Sequence, residues 1–217
     1  MSPTLTLYGT PTSGHTHRVE ALLSMLGLPY VYREAPAKVR DSAAFQKLNP
    51  LGQIPVLVDH ERVFCDSGAI MIYLVQKYAP DSGWLPTHPA EAAQVYRWLF
   101  IAAGELRYGP AEARGIWQWN WTGEHTTAKE ISANLLRFME QHLTGRKFLA
   151  LDHPTLADLA CYGYIAHAPE GGISLASCPN IRGWLKRVEA LPNFKLMPDL
   201  PIPSAAKSSA RSVVQSG

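Results

Sequence analysis

Three short stretches of this chain set polar residues where they could do chemistry. Ser13 lies in Thr10-Pro-Thr-Ser-Gly-His-Thr-His-Arg18, between a short apolar run and an amphipathic one. If a helix starts there, its free N–H groups and the positive end of its dipole favour an anion. The Ser13 hydroxyl would then cap the helix or donate a hydrogen bond to a bound thiolate, and the two duties are compatible. Ile54-Pro55 follows Asn49-Pro-Leu-Gly-Gln53. An X-Pro bond is trans by default, but a cis bond here would turn the Ile54 N–H and C=O outward, free to pair with an extended peptide. Asp66-Ser67 marks a second helix start, where carboxylate, hydroxyl and exposed amides either cap the helix or hold the ammonium and carboxylate ends of an amino-acid moiety.

Other residues carry less. His15 and His17 have an H-x-H spacing that suits a metal on a strand but fits poorly on a helix. With no converging carboxylate or thiolate, no metal site is expected. Trp117-Gln-Trp-Asn-Trp121 would put Trp117 and Trp121 on one helix face, as core, as contact with a second copy, or as the wall of an apolar pocket, with Trp117 better placed for the last. Cys65, Cys161 and Cys178 are odd in number and lack C-x-x-C spacing, which suggests neither a disulfide framework nor a zinc knuckle and points to a reducing compartment.

Composition narrows the partners. With 20 Lys and Arg against 18 Asp and Glu, the 217-residue chain has a formal charge of +2, too even for nucleic acid, a membrane surface or a polyacidic substrate to be the main partner. A hydrophobic share of 47% excludes a disordered or fibrous chain and allows one large or two small domains. The N-terminal residues carry no leader pattern, and the longest apolar stretch, Ala69 to Val75, is too short to span a bilayer. A cytoplasmic protein is expected.

The elements that must position these residues follow from periodicity. Leu5-Thr-Leu-Tyr8 reads as a strand, Val19, Leu22, Leu23 and Leu26 recur at helical spacing, and Pro29-Tyr-Val-Tyr-Arg33 reads as a second strand after Gly27. Such a β-α-β unit has parallel strands and a right-handed crossover. Ile54 to Val58 and Arg62 to Phe64 flank Asp59-His-Glu61 as a hairpin, and a helix opens at Asp66-Ser67. The order β-α-β, then β-β-α, is that of a thioredoxin-like domain, assigned to residues 1–80, with a Pro/Gly/Ser-rich linker at 81–90. Residues 91–197 should be all-helical, with helices over Glu91–Arg114, Thr126–Leu143, Thr155–Ile165 and Pro179–Leu191 and a capping box at Thr155-Leu-Ala-Asp158. Residues 198–217, dominated by Pro, Ser and Ala, form a flexible tail that frays or drapes over the surface.

Four ordered segments resemble the cytosolic glutathione S-transferase family over nearly the whole chain. They are Leu7-Tyr8 with Ser13 five residues after the Tyr, Phe45-Gln-Lys-Leu-Asn-Pro-Leu-Gly-Gln-Ile-Pro55, Asp66-Ser-Gly-Ala-Ile70, and Pro154-Thr-Leu-Ala-Asp-Leu-Ala160. The resemblance, to bacterial-type members with a Ser-type site, implies a thioredoxin-like glutathione-binding domain, an all-α second domain, a homodimer, and glutathione as co-substrate without a metal. Ser13 resembles the hydroxyl that stabilises the glutathione thiolate, Pro55 the family's cis-proline, Ile54 the backbone partner of the cysteinyl moiety, and Asp66 with Ser67 the γ-glutamyl site. Gln53 and, more loosely, Arg40 would reach the glycyl end. Arg107 and Tyr108, expected midway along the first long helix of the second domain, fall where related bacterial transferases face the cleft. Arg107 would there approach the thiol or the glutathione carboxylates, or else lie on a solvated helix face, while Tyr108 would touch the electrophile. Asp158 belongs to a family motif whose duty is local, at the helix start.

Free thiols have a pKa of about 8.5, which a helix N-terminus with donors lowers to roughly 3.5–7.5. A glutathione thiolate would attack a small hydrophobic electrophile to give a thioether, in a detoxifying role, or would reduce a peroxide or disulfide. Redox relatives place Cys where this chain has Ser13 and Thr16, which disfavours mixed-disulfide chemistry through a protein thiol, and the Ser-Ser-Cys run of the zeta class is absent. A non-catalytic binding or assembly protein of this fold, and a glutathione-dependent disulfide or peroxide reductase, are the competing readings. The joint presence of Ser13, Ile54-Pro55 and Asp66-Ser67 favours the transferase.

Overall fold

The computed structural model describes residues 5–202. Its first half is built on a four-stranded sheet of order β2-β1-β3-β4. β1 (Leu5–Gly9) buries alternate residues, pairs in parallel with β2 (Tyr30–Glu34) and pairs antiparallel with β3 (Val56–Asp59), which in turn pairs antiparallel with β4 (Arg62–Cys65). The register has one consequence for everything that follows. Gly9 faces Glu34, Tyr8 faces Val56 and Val56 faces Cys65. The chain therefore leaves β1, leaves β2, enters β3 and leaves β4 at one end of the sheet.

At the opposite end Asp59 closes the β3–β4 turn. Its buried Oδ2 accepts from the hydroxyls of Tyr73 and Tyr78, each at 2.6 Å, and from Lys77 Nζ at 2.5 Å. A cavity of about 650 Å³ lined by Asp59, His60, Glu61, Arg62 and Lys77 opens at this far end.

α1 (Gly14–Met25) differs from the one-sided helix that its apolar spacing suggests. Besides Val19, Leu22 and Leu23, the polar residues Thr16, His17, Arg18 and Glu20 are buried, because the second domain covers the face that the sheet does not. The covering element is α8 (Leu156–Ala166). Glycines set the approach: a Cβ on Gly14 would lie 2.9 Å from the Tyr164 ring, and one on Gly163 would lie 3.3 Å from Gly14 Cα. His17 Nε2 bonds the Lys195 carbonyl oxygen at 2.6 Å, while Glu20 accepts from Tyr30 at 2.8 Å and from Lys195 Nζ at 2.6 Å.

The stretch between the first two strand pairs, which shows no firm pattern in the sequence, forms the short helices α2 (Ala37–Arg40) and α3 (Ala43–Leu48). α4 (Ser67–Tyr78) follows the sheet, and Pro89 stands in the first turn of α5 (Pro89–Ala103), where its missing N–H is no loss. α5 corrects the expectation of one helix from Glu91 to Arg114. It stops at Gly104, and a π-helical turn, Arg107–Ala111, leads into α6 (Glu112–Trp119). Pro110 sits inside that turn; it has no N–H to give and in a regular α-helix its ring would crowd the carbonyl four residues back, so the helix widens there. Arg107 and Tyr108 thus lie on the π turn, not midway along a long helix.

Trp117 and Trp121 do not share a helix face either. Asn120 ends α6 in a left-handed conformation, and Trp121 folds back so that its N–H meets the Gly115 carbonyl at 3.3 Å and its ring lies where a Cβ of residue 115 would be, 2.1 Å away. α7 (His125–His142), α8 and α9 (Pro179–Glu189) complete the helical half. The capping box at Thr155 is present, and the buried Asp158 carboxylate also accepts from Leu149 N–H and Trp184 Nε1, each at 2.9 Å. Leu200 N–H and the Pro201 carbonyl bond Glu170 and Gln118, so the start of the expected tail lies along the second domain. The remainder, residues 203–217, lies outside the described residues.

Burial pushes the His17 imidazole from its ordinary 6.5 down to about 4, against the pull of the Lys195 carbonyl. As pH falls the unfolded chain takes the proton first. Neutral His17 therefore contributes stability that is whole above the unfolded value of about 6.5 and lost as pH falls to about 4, a difference of about 3 kcal/mol. His15 and His142, lowered chiefly by burial, lose theirs on the same side of 6.5. Asp59 acts lower down: burial alone would raise its carboxyl, but bonds from Lys77, Tyr73 and Tyr78 hold it at about 2, so its share is lost below its unfolded value of 3.8. Urea unfolding compared at about pH 7 and about pH 4 is expected to show a loss about 3 kcal/mol smaller in His17→Gln than in the wild type, since the amide serves the Lys195 carbonyl without titrating. Equal losses would remove His17 from the account.

Candidate active site

Four crossings meet at the Gly9–Val56–Cys65 end of the sheet, and each carries a residue singled out in the sequence. Past β1 the chain turns back, with Ser13 N–H donating to the Thr10 carbonyl at 3.1 Å. Ser13 is the N-cap of α1, its Oγ accepting from Thr16 N–H at 3.3 Å. Among the described residues no acceptor takes the Ser13 hydroxyl hydrogen, so the cap leaves that hydrogen for something else.

Before β3 the Ile54–Pro55 bond is cis, and because strand pairing begins at Val56, the Ile54 N–H and C=O take no part in the sheet. Past β4, Asp66 caps α4: Oδ1 accepts from Gly68 N–H at 2.8 Å and Ala69 N–H at 3.0 Å. Its backbone stands at φ 68°, ψ 124°, a region that favours glycine. Holding an aspartate there costs on the order of 1–3 kcal/mol. Past β2, α2 ends at Arg40, whose carbonyl oxygen lies 3.9 Å from the position of a Cβ on Gly52. Arg40 therefore neighbours the exposed Gln53, whose own carbonyl accepts from Asn49 Nδ2 at 2.8 Å.

α1 and α4 begin side by side. Arg18 Nη1 donates to Ser67 Oγ at 3.4 Å, and Ser67 Oγ lies 3.3 Å from His15 Nδ1. His15 is held well below its usual pKa by burial first and then by the charges of Arg18 and Arg107, so it is neutral at pH 7 and shares one hydrogen with Ser67 Oγ across this contact. Arg18 is only 4% exposed, and among the described residues its Nε and Nη2 have no partner. Two helix N-termini and a buried guanidinium therefore converge, and the field at this end favours anions.

Arg107 pairs with Glu112, and its guanidinium carbon stands 5.5 Å from the Tyr108 ring centre and 5.2 Å from that of Trp121. Its charge reaches His15, which puts this turn near the start of α1, and Tyr108 is 59% exposed beside it. Trp117 is half-buried, with its ring 5.7 Å from that of His125 at the start of α7. The described contacts bring Ser13, Ile54-Pro55, Asp66-Ser67, Gln53 and Arg40 to one end and set Arg107 and Tyr108 near it, while Trp117 lies against His125.

Sequence reasoning missed Arg18 and gave His15 only a metal reading. The available signal was a charged residue placed between Thr16 and Val19, on a helix whose apolar residues already specified a buried side. His15 and His17 take different partners, Ser67 and Lys195. Among the described residues, His167, Glu170 and Asp199 bring ligand atoms within 4.8 Å of one another. Both Glu170 oxygens already accept, from Arg114 Nε at 2.6 Å and Leu200 N–H at 2.7 Å, which makes the group a polar anchor for residues 198–202.

Comparison with known proteins agrees on one family. Residues 7–82 match the family model for the N-terminal domain of glutathione S-transferase, and residues 116–192 match that for its C-terminal domain. Glutathione S-transferase 3 of Zea mays is 32% identical over 225 aligned residues, covering 97% of this chain and 100% of its own. A glutathione S-transferase structure from Pseudomonas fluorescens superposes with a TM-score of 0.83 at 29% identity, over 90% of this chain and 100% of its own. A glutathione transferase homologue from Drosophila mojavensis, solved with bound glutathione, gives a TM-score of 0.79 at 27% identity, over 87% of this chain and 89% of its own.

The backbone at Asp66 sets up a stability comparison. Asp66→Ala loses the cap and keeps the strained conformation, whereas Asp66→Gly loses the same carboxylate and relaxes the strain. Asp66→Gly is expected to be about 1 kcal/mol more stable than Asp66→Ala in thermal unfolding. The reverse order would mean that residue 66 is not strained.

Proposed function

The chain belongs to the glutathione S-transferase family, and from that premise we propose that Ser13 is the group that holds the glutathione thiol as a thiolate. The observation that carries this reading is the convergence of four chain crossings on one end of the sheet, with the N-termini of α1 and α4 facing the same space. In it, the cysteinyl backbone pairs with the Ile54 N–H and C=O beside Pro55. The γ-glutamyl ammonium meets Asp66, and its carboxylate meets the Ser67 hydroxyl and the Ser67 N–H, the amide of the first turn of α4 that Asp66 does not cap. The glycyl carboxylate extends toward Gln53 and Arg40. The sulfur then lies at the start of α1, where the Ser13 hydroxyl donates to it and the helix dipole stabilises its charge.

A thiolate so held is itself the nucleophile, and the step asks for no metal. It attacks an electrophilic carbon, forms the C–S bond and expels the leaving group, or adds to an activated double bond. A small hydrophobic electrophile, and with it a detoxifying role, is supported by the exposed Tyr108 and by Trp121 beside Arg107. The Phe100 side chain on α5 is 73% exposed, which supports pairing with a second copy of the chain as a homodimer. No helix of the described residues is long and apolar enough to cross a membrane, and the three cysteines are free, which fits a reducing, cytoplasmic setting.

The test is a titration of thiolate absorbance against pH with glutathione bound. Ser13→Ala is expected to keep its fold and its glutathione affinity while the thiol pKa rises toward about 8.5 and turnover at neutral pH falls tenfold or more, about tenfold for each unit of rise. Asp66→Ala is expected instead to weaken glutathione binding about tenfold or more, the loss of one charge-assisted contact. An unshifted thiol in Ser13→Ala would move the activating group elsewhere, and full affinity in Asp66→Ala would take that carboxylate out of the site.

A further inference from the structure

Arg114 is the most deeply buried cation of the second domain, 1% exposed on α6. Its guanidinium spans two partners. Nε donates to Glu170 Oε2 at 2.6 Å, and Nη1 donates to the Thr12 carbonyl at 2.7 Å. Thr12 is the residue before Ser13. The second domain therefore reaches across the interface to hold the peptide unit that joins Thr12 to Ser13.

The holding is stiff for identifiable reasons. The guanidinium carbon lies 5.0 Å from the centre of the Trp119 ring. Glu170 is buried and fixed on its far side, with Oε1 accepting from Leu200 N–H at 2.7 Å and its backbone carbonyl accepting from Gln118 Nε2 at 2.8 Å. The 3-10 turn that carries Glu170, Ala168–Gly171, is pressed onto α6: a Cβ on Gly171 would fall 2.6 Å from Arg114 N. Arg114 cannot swing away without leaving a carboxylate buried and unpaired.

We propose that Arg114 is a positioning residue for thiol activation, acting through the Thr12 carbonyl on the loop that presents Ser13. The charge-assisted bond pins the Thr12–Ser13 peptide plane, and with it the direction of the Ser13 hydroxyl. It also draws density toward the Thr12 oxygen, so the N–H of the same peptide, on Ser13, becomes a better donor and tightens the turn to Thr10. The second domain thereby tunes the sulfur without touching it. The inference rests on Ser13 being the activating group, and the experiment separates the two.

Arg114→Met with Glu170→Met removes both buried charges together and so avoids leaving one unpaired. Arg114→Lys keeps a cation for Glu170 but loses the fork that spans two partners. Both are read by thiolate absorbance of bound glutathione against pH, beside Ser13→Ala, with circular dichroism and melting to confirm folding. The expected result is a thiol pKa raised by about one unit in the paired variant and less in Arg114→Lys, an about tenfold lower kcat at pH below the wild-type pKa, and a KM for glutathione changed less than about threefold. An unchanged thiol pKa in the folded paired variant overturns the proposal, whatever Ser13→Ala does. Should the paired variant fail to fold, an unchanged pKa in Arg114→Lys overturns it equally. An unchanged pKa in Ser13→Ala overturns the role of Ser13 and with it the proposal that Arg114 acts through Ser13, whereas a raised pKa in Ser13→Ala beside an unchanged one in the paired variant overturns the role of Arg114 alone.

Discussion

The first turn of α1 has to face two ways. One side must stay open with its N–H groups free for an anion, and the other must bury against the second domain without strain. Gly14 makes this possible, since any side chain there would meet the Tyr164 ring, and Gly163 returns the same courtesy on α8. Because the backbones approach this closely, α1 becomes a helix buried on all sides, and its polar residues must find partners. Those partners come from far along the chain: Lys195 for His17 and Glu20, and Ser67 for Arg18. A single close contact between two glycine-bearing helices thus decides which polar groups are buried and where the charges of the site lie.

The electrostatics follow from that burial. Arg18 lies inside the protein and, among the described residues, has the Ser67 oxygen as its one hydrogen-bond partner; desolvation lowers its pKa while the charges of nearby groups pull the other way. A buried guanidinium with unused donors is costly when left alone and attractive to an anion. His15, between Arg18 and Arg107, responds by staying neutral. The site is therefore prepared for negative charge by a helix dipole and by the buried Arg18 guanidinium, which salt screens less than it does a surface charge.

What could be read in the sequence divides along physical lines. The strand order, the hairpin and the start of α4 announce themselves because alternation, Gly27 and the Asp66-Ser67 cap are local signals. Convergence of Ser13, Pro55 and Asp66 is set by the pairing register and by the turn after β1, which only the folded sheet displays. The second domain was harder. A run of apolar residues from Glu91 to Arg114 has helical spacing throughout, yet Gly104 and Pro110 break it into three pieces, and the widened turn that results carries Arg107 and Tyr108. Trp121 looked like a helix-face partner of Trp117 until Asn120 reversed the chain. Arg18 and Arg114 stayed hidden for one reason: an arginine is read as a surface residue, and only tertiary contact reveals that its partners are buried.

Those two arginines divide the work between the halves of the molecule. Arg18 belongs to the first domain and acts beside Asp66-Ser67, where an amino-acid end would sit. Arg114 belongs to the second and reaches Thr12, beside the Ser13 proposed to face the sulfur. The second half is thus coupled to the first by directed polar bonds as well as by apolar packing, since His17, Glu20 and Ser24 of α1 also bond residues 193–195. Apolar packing tolerates sliding, whereas a buried charged bond to one carbonyl does not. A fold that relies on such bonds can vary its exposed aromatic surface, around Tyr108 and Trp121, without losing the alignment of the residues proposed to hold the thiol.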